Sequence, residues 1–147
     1  TRRSSDRLDN GDYQNARDQA NAAIETEKLS LSRIDAQVEG AEASLAQAQA
    51  SKVALEAAVR GAEITQKRQQ ELATKSVGTA ADLDSANVAL DQAHANLVGG
   101  EAAIKSAQAN ITILEAQRNE AESSVRTLEL QRDKAARDLS FTVLKAP

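Results

Sequence analysis

A seven-residue repeat of apolar side chains constrains this chain most, and it is interrupted only once, near the middle. In the second half the repeat runs from Leu83 to Leu139, eight heptads without a slip. Apolar residues recur there at alternating steps of three and four, the positions called a and d. Such a strict period indicates helices that supercoil about each other, because a straight buried helix drifts toward a period of 3.6. The sequence therefore predicts an all-α coiled coil.

We call these a and d residues the seam, the line along which two helices are expected to meet. The first half of the chain carries Tyr13, Ala20, Ile24, Glu27, Leu31, Ile34, Val38, Ala41, Leu45, Ala48, Lys52, Leu55, Val59, Ala62, Gln66, Gln69 and Ala73. The second half carries Leu83, Ala86, Leu90, Ala93, Leu97, Gly100, Ile104, Ala107, Ile111, Leu114, Arg118, Ala121, Val125, Leu128, Arg132, Ala135 and Leu139. Although 41% of the residues are apolar, 30 are alanine and only one Phe and one Tyr are present. Since large side chains supply most burial energy, this predicts a thin core between two helices.

The interruption, "ELATKSVGTAADLDSA", predicts a turn that folds the second helix back on the first as an antiparallel hairpin. Gly78 is expected to take a positive φ and end the first helix. Thr79, with Asp82 three residues on, is expected to cap the second helix. The alternative, a parallel dimer of one unbroken helix, must carry Val77, Gly78 and Thr79 through a helix interior, where all are poor helix formers.

A turn centred near Thr79 predicts a register in which facing residues have numbers that sum to about 159. Antiparallel seams then place an a residue opposite a d residue. The expected facing pairs include Leu55 with Ile104, Leu31 with Leu128, and Glu27 with Arg132, and Gly61 lies level with Gly99 and Gly100. The charged seam residues Glu27, Arg118 and Arg132 either fix this register or extend their charged ends into solvent.

Both ends of the chain depart from the repeat. "RLDNGDY" carries a turn signal before the first helix, and "LSFTVLKAP" is β-prone after the second. We therefore expect a helical segment inserted into something made of strands. The expected divisions are a lead-in segment 1–11, helix 12–75, tip 76–81, helix 82–139 and exit strand 140–147.

"LDNGDY" leading into a long helix, the mid-chain turn and "ARDLSFTVLKAP" resemble the α-helical hairpin of periplasmic adaptors. These are membrane fusion proteins of the haemolysin-secretion-protein-D type, whose hairpin is inserted into a lipoyl-like β domain. The A-x-x-L-x-x-T-x-x-x-A-P exit is filled here by Ala136, Leu139, Thr142, Ala146 and Pro147. The arm length resembles the long-hairpin branch, like that of the multidrug adaptor EmrA, more than the short hairpins of typical resistance–nodulation–division adaptors.

The resemblance implies a protein-binding tip and a role in tripartite export. At the family's tip positions stand Arg68, Leu72 and Thr79, the last in place of a serine. The implied partners are an outer-membrane channel at the tip and an inner-membrane transporter reached through regions outside this chain. Self-association into a ring, a trimer or hexamer, is also implied. The implied location is the periplasm, attached to the inner membrane through a region absent from this chain.

Read without the resemblance, Arg68 is a solvated charge, Leu72 packs at the end of the seam and Thr79 is only a cap. The corresponding alternative function is a structural coiled-coil spacer or rod.

A net charge of −4 without a basic stripe argues against nucleic acid as a partner, and the sequence contains no cysteine. His94 lacks a partner at ligand spacing, and Asp82 and Asp84 suit a helix start. We therefore expect no enzyme, no catalytic or metal site, and no cofactor.

Overall fold

The computed structural model describes residues 11–142, and these fold into two α-helices. The helix α1 spans Gly11–Thr74 and α2 spans Ala80–Phe141, joined by a turn of residues 75–79. The two helices pack against each other as a hairpin, which confirms the all-α prediction. The residues of the predicted strand-like ends lie largely outside the described part of the chain. Within it, α2 continues to Phe141, two residues past the predicted end of the helix.

The seam residues are withdrawn from solvent. Every predicted a and d residue is buried or half-buried except Tyr13, near the start of α1. The most buried apolar residues all belong to the seam: Ile24, Ile34, Ala41, Val59, Ala86, Ile111 and Ala121. No large side chain among the described residues is completely buried. The heptad pattern therefore identified the packed face correctly, and the core is as thin as the alanine content predicts.

The chain divides into two compact units, each pairing a stretch of α1 with a stretch of α2. One unit contains the described residues up to Val38 together with those from Leu114 onward, and the other is Glu39–Ile113. The second unit, which we call the tip unit, contains the turn between the helices. The first we call the base unit.

The predicted register is wrong by about six residues along the facing helix, between one and two helical turns. In the tip unit the Gln66 amide donates to Asn87 Oδ1 at 3.2 Å, and Lys52 Nζ lies 3.1 Å from Glu101 Oε1. In both pairs the residue numbers sum to 153 rather than 159. Because the turn comprises residues 75–79, its centre lies at residue 77, and the register follows that centre.

Leu55 shows the consequence of this register for packing. A Cβ atom placed on Gly100 would lie 2.6 Å from Leu55 Cδ1, so Leu55 packs over Gly100 instead of facing Ile104. The glycine therefore permits a close approach of the two helices at this point. Gly61 and Gly99 have no neighbouring atoms within 4 Å of such a Cβ, and the three glycines do not form the single level that was expected.

Two charged seam residues bind across the seam in the same way, one in each unit. In the base unit Arg118 Nε donates to Asp35 Oδ1 at 2.6 Å and Arg118 Nη1 lies 2.9 Å from Glu122 Oε1. In the tip unit Lys52 contacts Glu101 across the seam, and Glu56 four residues along its own helix. Each cation thus joins one carboxylate on its own helix to one on the other.

These contacts differ between Arg118 and Arg132, two of the three charged seam residues considered above. Arg118 binds across the seam, as a register-fixing residue would. Arg132 instead pairs with its neighbour Asp133 at 2.7 Å, so the expected facing of Glu27 and Arg132 is wrong. The same change of register accounts for both outcomes. It brings Arg118 level with Asp35, and it moves Arg132 away from the level of Glu27.

Candidate functional site

The end of α1 at the hairpin tip is closed by a set of backbone hydrogen bonds. Ser76 N donates to Ala73 O at 3.0 Å, and Val77 N donates to Leu72 O at 3.0 Å. Ser76 has a φ of 59°. This combination is a Schellman motif, which satisfies carbonyl groups that the last helical turn leaves unpaired.

Gly78 has a different role from the predicted one. No glycine among the described residues has a positive φ, and Ser76 takes the left-handed conformation instead. A Cβ atom on Gly78 would lie 3.1 Å from both Ala73 N and Leu72 Cβ. Gly78 N also donates to Leu72 O at 3.0 Å. The glycine is therefore needed because its backbone packs closely against the end of α1.

Thr79 caps the start of α2, as the sequence predicted. The Asp82 backbone N–H donates to Thr79 Oγ1 at 3.1 Å, and Thr79 Oγ1 donates to Asp82 Oδ2 at 2.6 Å. Leu83 N donates to Thr79 O at 3.3 Å. The carboxylate at the third helical position is also favoured by the positive end of the helix dipole.

The structure places the three predicted tip residues on the two sides of this turn. Arg68 and Leu72 are one helical turn apart on α1, and Thr79 immediately precedes α2. Arg68 and Thr79 are exposed, while Leu72 is half-buried. The Leu72 carbonyl accepts hydrogen bonds from the two residues just before Thr79, so the turn ties Leu72 to Thr79 through the backbone. Whether these residues bind a partner stays a prediction.

The sequence analysis placed Val77 within the tip but did not single it out as an exposed apolar residue. Its side chain is 75% exposed at the bend, the highest value among the exposed large apolar residues. A β-branched residue in a turn, where polar residues are usual, was the signal that could have identified it. An apolar side chain in this position contributes little to folding and is available for contact with another molecule.

The contacts that support the tip come from the seam behind it. Ala86 is buried near the start of α2, and Gln66 is joined to Asn87 across the seam. The exposed side chains of Arg68 and Val77 take no part in these contacts. The tip therefore has a fixed backbone and a surface that the fold does not use.

At the other end of α2, two residues of the exit motif contact each other. Thr142 is buried, and its Oγ1 donates to Leu139 O at 2.7 Å. Thr142 N donates to the same carbonyl at 3.1 Å. These bonds satisfy a terminal carbonyl of α2. Ala146 and Pro147, the rest of the motif, lie outside the described residues.

Away from the two ends of the hairpin, the described residues were compared with the requirements of a metal or catalytic site. His94 is exposed on α2. Within residues 11–142 no group of three His, Cys, Asp or Glu side chains is placed to hold a metal ion. No buried side-chain polar atom in that part of the chain lacks a hydrogen-bond partner. Neither described helix is long and apolar enough to span a membrane.

One comparison with known proteins gives a match, and it covers the tip half of the hairpin. A family model described as "RND MFP, alpha-helical hairpin domain" matches residues 45–113, a little under half of the chain. RND denotes resistance–nodulation–division transporters and MFP membrane fusion proteins. The match ends at the same residue as the tip unit and contains all three predicted tip residues. It confirms the resemblance to membrane fusion proteins over these residues. Neither a curated protein nor a solved structure matches the chain.

Proposed function

We propose, on the premise that residues 45–113 are an α-helical hairpin of the RND membrane fusion protein type, that this chain is the hairpin of a periplasmic adaptor. The adaptor links an inner-membrane transporter to an outer-membrane channel in a tripartite export system. It works by binding and has no catalytic step. The observation that carries the proposal is that the matched residues include the whole tip turn.

The tip is the part of the hairpin that contacts the channel. Its backbone is fixed by the hydrogen bonds to Leu72 O and by the Thr79 cap. Arg68 offers guanidinium donors, Thr79 a hydroxyl and Val77 an exposed apolar surface. An apolar contact surrounded by directional hydrogen-bond donors is typical of specific protein interfaces.

The other parts of the adaptor are assigned by the resemblance. The transporter binds regions outside this chain, and the adaptor is held at the inner membrane by such a region. Several copies associate into a ring. Both helices extend beyond the matched residues, over 11–44 and 114–141, which supports assignment to the long-hairpin branch of the family.

The test separates binding from folding at the tip. We expect Arg68→Ala and Val77→Asp to abolish channel association and export in the full-length adaptor while helicity and expression stay unchanged. Both side chains are exposed, so their loss removes no packing within the hairpin. The matched control is Arg126→Ala, an exposed arginine on α2 that lies far from the turn in sequence. Co-purification with the channel and a resistance or export assay are compared with circular dichroism of each variant.

Thr79 gives a second, graded probe. Thr79→Ser keeps the cap and the hydroxyl, so channel association should survive. Thr79→Ala loses the cap, which costs about 1 kcal/mol of stability, and loses channel association as well. Export and channel association that remain complete with Arg68, Leu72 and Val77 all replaced would contradict the proposal. That outcome would favour a coiled-coil spacer.

A further inference from the structure

The polar contacts across the seam follow one register. Three pairs have residue numbers that sum to 153; they are Gln66 with Asn87, Lys52 with Glu101, and Arg118 with Asp35. We call this arrangement the observed register. Because the seam repeats every seven residues, a slide of α2 along α1 by one heptad, about 10 Å, again places seam against seam. We call that arrangement the shifted register, in which the numbers of facing residues sum to seven more.

In the tip unit the shifted register supplies a new polar partner for each one that it removes. His94 comes level with Gln66, and Gln108 comes level with Lys52, in each case seven residues beyond the present partner on α2. The side chains of His94 and Gln108 are exposed, and among the described residues neither forms a hydrogen bond or an ion pair. An imidazole nitrogen accepts a hydrogen bond from an amide, and an amide oxygen accepts one from an ammonium group. Polar contacts across the seam of the tip unit therefore have partners in either register.

The base unit exchanges one ion pair across the seam for another. Glu27 and Arg132 have numbers that sum to 159, so the shifted register brings them level. In the observed register Glu27 forms no ion pair among the described residues, and Arg132 contacts its neighbour Asp133. The slide separates Arg118 from Asp35 and places Glu27 opposite Arg132. Both are partly exposed ion pairs, which contribute similar small amounts to stability.

The apolar seam of the tip unit suits both registers as well. Leu55 packs over Gly100 in the observed register, and the shifted register brings Val59 level with Gly100 and Leu55 level with Ile104. A large side chain meets the glycine in either case. No large side chain in residues 11–142 is completely buried, so few close-fitting contacts hold the seam to one register. The two registers therefore differ little in apolar packing.

The turn contains a second set of signals for ending α1 and starting α2. The observed turn places Ser76 in the left-handed conformation and caps α2 with Thr79. Gly78 and Asp82 lie two and three residues farther on; glycine takes a left-handed φ without strain, and aspartate is among the preferred caps. With these residues in the two roles, the numbers of the helix ends sum to 159 instead of 154. That is most of one heptad, and a turn one residue longer takes up the rest.

We propose that the hairpin is a two-register switch, in which α2 slides along α1 by one heptad between the observed register and a less populated shifted register. The observed register has the shorter turn, and the shifted register relieves the left-handed conformation of Ser76. Packed helices switch in this way because their interdigitating side chains allow discrete displacements and oppose intermediate ones. The slide is a property of the hairpin itself and does not depend on the proposed function.

The slide changes the surface of the tip. Val77, which is exposed at the bend in the observed register, moves to the end of α1, and Asp82 replaces Thr79 as the cap. A molecule that binds the tip of one register therefore stabilises that register. In the other direction, a displacement of one helix along the other by about 10 Å alters the tip. The hairpin thereby couples the position of α2 along α1 to the surface that it presents at the bend.

A chain with three cysteines measures both registers at once. The substitutions are Leu55→Cys, Gly100→Cys and Ala107→Cys in the 147-residue chain, which has no cysteine of its own. In the observed register position 55 reaches position 100, where a Cβ atom lies 4.0 Å from Leu55 Cγ. In the shifted register it reaches position 107, seven residues on. Positions 100 and 107 are about 10 Å apart on one helix, too far for a disulfide between them.

We expect both disulfides when this chain is equilibrated in a glutathione redox buffer, with the 55–107 disulfide at about 1–10% of the total by peptide mass mapping of the monomer. The matched control combines Leu55→Cys with Ser106→Cys, which is exposed and next to position 107 but off the seam. It should form no disulfide. Absence of the 55–107 disulfide overturns the proposal. Equal formation of the control disulfide also overturns it, because that result indicates opening of the hairpin rather than a slide.

The two locked forms test whether the shifted register is a stable packing. Oxidised chains with only the 55–100 or only the 55–107 pair of cysteines should have the same helicity by circular dichroism, and each should unfold in one cooperative urea transition. A 55–107 chain that has lost helicity or unfolds without cooperativity would show a strained crosslink in place of a second register, and it contradicts the proposal.

Moving one carboxylate by a heptad tests the direction and length of the slide. Glu101→Gln together with Gln108→Glu transfers the carboxylate that faces Lys52 from the observed to the shifted register without changing composition. In the three-cysteine chain the ratio of the 55–107 to the 55–100 disulfide should rise about fivefold, the effect of one exposed ion pair. The matched control, Glu63→Gln with Gln70→Glu, moves a carboxylate by a heptad on the exposed side of α1 and should leave the ratio unchanged.

Ser76→Gly tests the assigned turn in the same chain. Glycine removes the strain of the left-handed position in the observed register and weakens the longer α1 of the shifted register. The ratio of the 55–107 to the 55–100 disulfide should therefore fall by about fivefold or more. A ratio that rises with Ser76→Gly, or that does not respond to the transfer of the carboxylate from position 101 to position 108, overturns the assigned slide.

Discussion

The seam of the tip unit and the tip turn are held together by different interactions. The seam depends on apolar side chains that recur along both helices, with Val59 and Ile111 among the most buried. The turn depends on backbone hydrogen bonds to Leu72 O and on the Thr79 cap, and its apolar residue Val77 is exposed. Changes in the seam should therefore affect stability, whereas changes to exposed side chains of the turn should affect binding.

The largest effect is expected from Ile111→Ala. Ile111 is 4% exposed, and removing a buried isoleucine side chain costs about 2–4 kcal/mol. Ile113→Ala is the matched control, because Ile113 is 57% exposed on the same helix, and its effect should be below about 0.5 kcal/mol. Urea unfolding followed by circular dichroism measures both. Similar losses from the two variants would mean that the seam does not carry the stability.

Gly100 in the seam and its exposed neighbour Gly99 sharpen the comparison. Gly99→Ala should raise stability by about 1 kcal/mol, because alanine favours helix and nothing lies near the new methyl group. Gly100→Ala gains the same propensity but pushes against Leu55, an overpacking that costs about 1–3 kcal/mol. We expect no gain, or a loss, from the second variant. Equal gains in urea unfolding would contradict the close packing of Leu55 on Gly100.

The turn is tested by Ser76→Gly. Ser76 has a φ of 59°, a conformation that costs an L-residue about 1–2 kcal/mol and glycine almost nothing. Because glycine also has more freedom when unfolded, the net gain in stability should be roughly 0.5–1 kcal/mol. Gly78→Ala should have the opposite sign, since its methyl group would press on Leu72 and Ala73. A loss of stability from Ser76→Gly would show that the turn is closed in another way.

The smallest effect concerns the charged seam residue Lys52. The hydrogen bond and charge of Glu101 hold the pKa of Lys52 above its ordinary value of 10.5. A raised pKa means that the contact stabilises the fold below pH 10.5 and that this contribution is lost as the pH rises through the folded-state pKa. Glu101→Gln should lower the pKa of Lys52 in an NMR titration, whereas the exposed Glu63→Gln should leave it unchanged. No change with Glu101→Gln would exclude the contact in solution.

Most of the fold could be predicted from the sequence because its pattern is regular. The heptads identified the residues that are withdrawn from solvent, including the half-buried Gln66 and Lys52. The break in the repeat located the turn, and the spacing of Thr79 and Asp82 identified the cap. Each of these properties depends on residues a few positions apart in the chain, which local spacing describes directly.

The axial register was decided by the tertiary structure. A heptad pattern determines which face of a helix is buried and leaves open how far one helix is displaced along the other. That displacement is set by the turn, where Ser76 rather than Gly78 takes the left-handed conformation and α1 ends at Thr74. The register in turn determined that Leu55 packs on Gly100 and that Arg118 binds Asp35. The sequence by itself thus determined the buried face and the position of the turn, while backbone hydrogen bonds within the turn determined which residues meet.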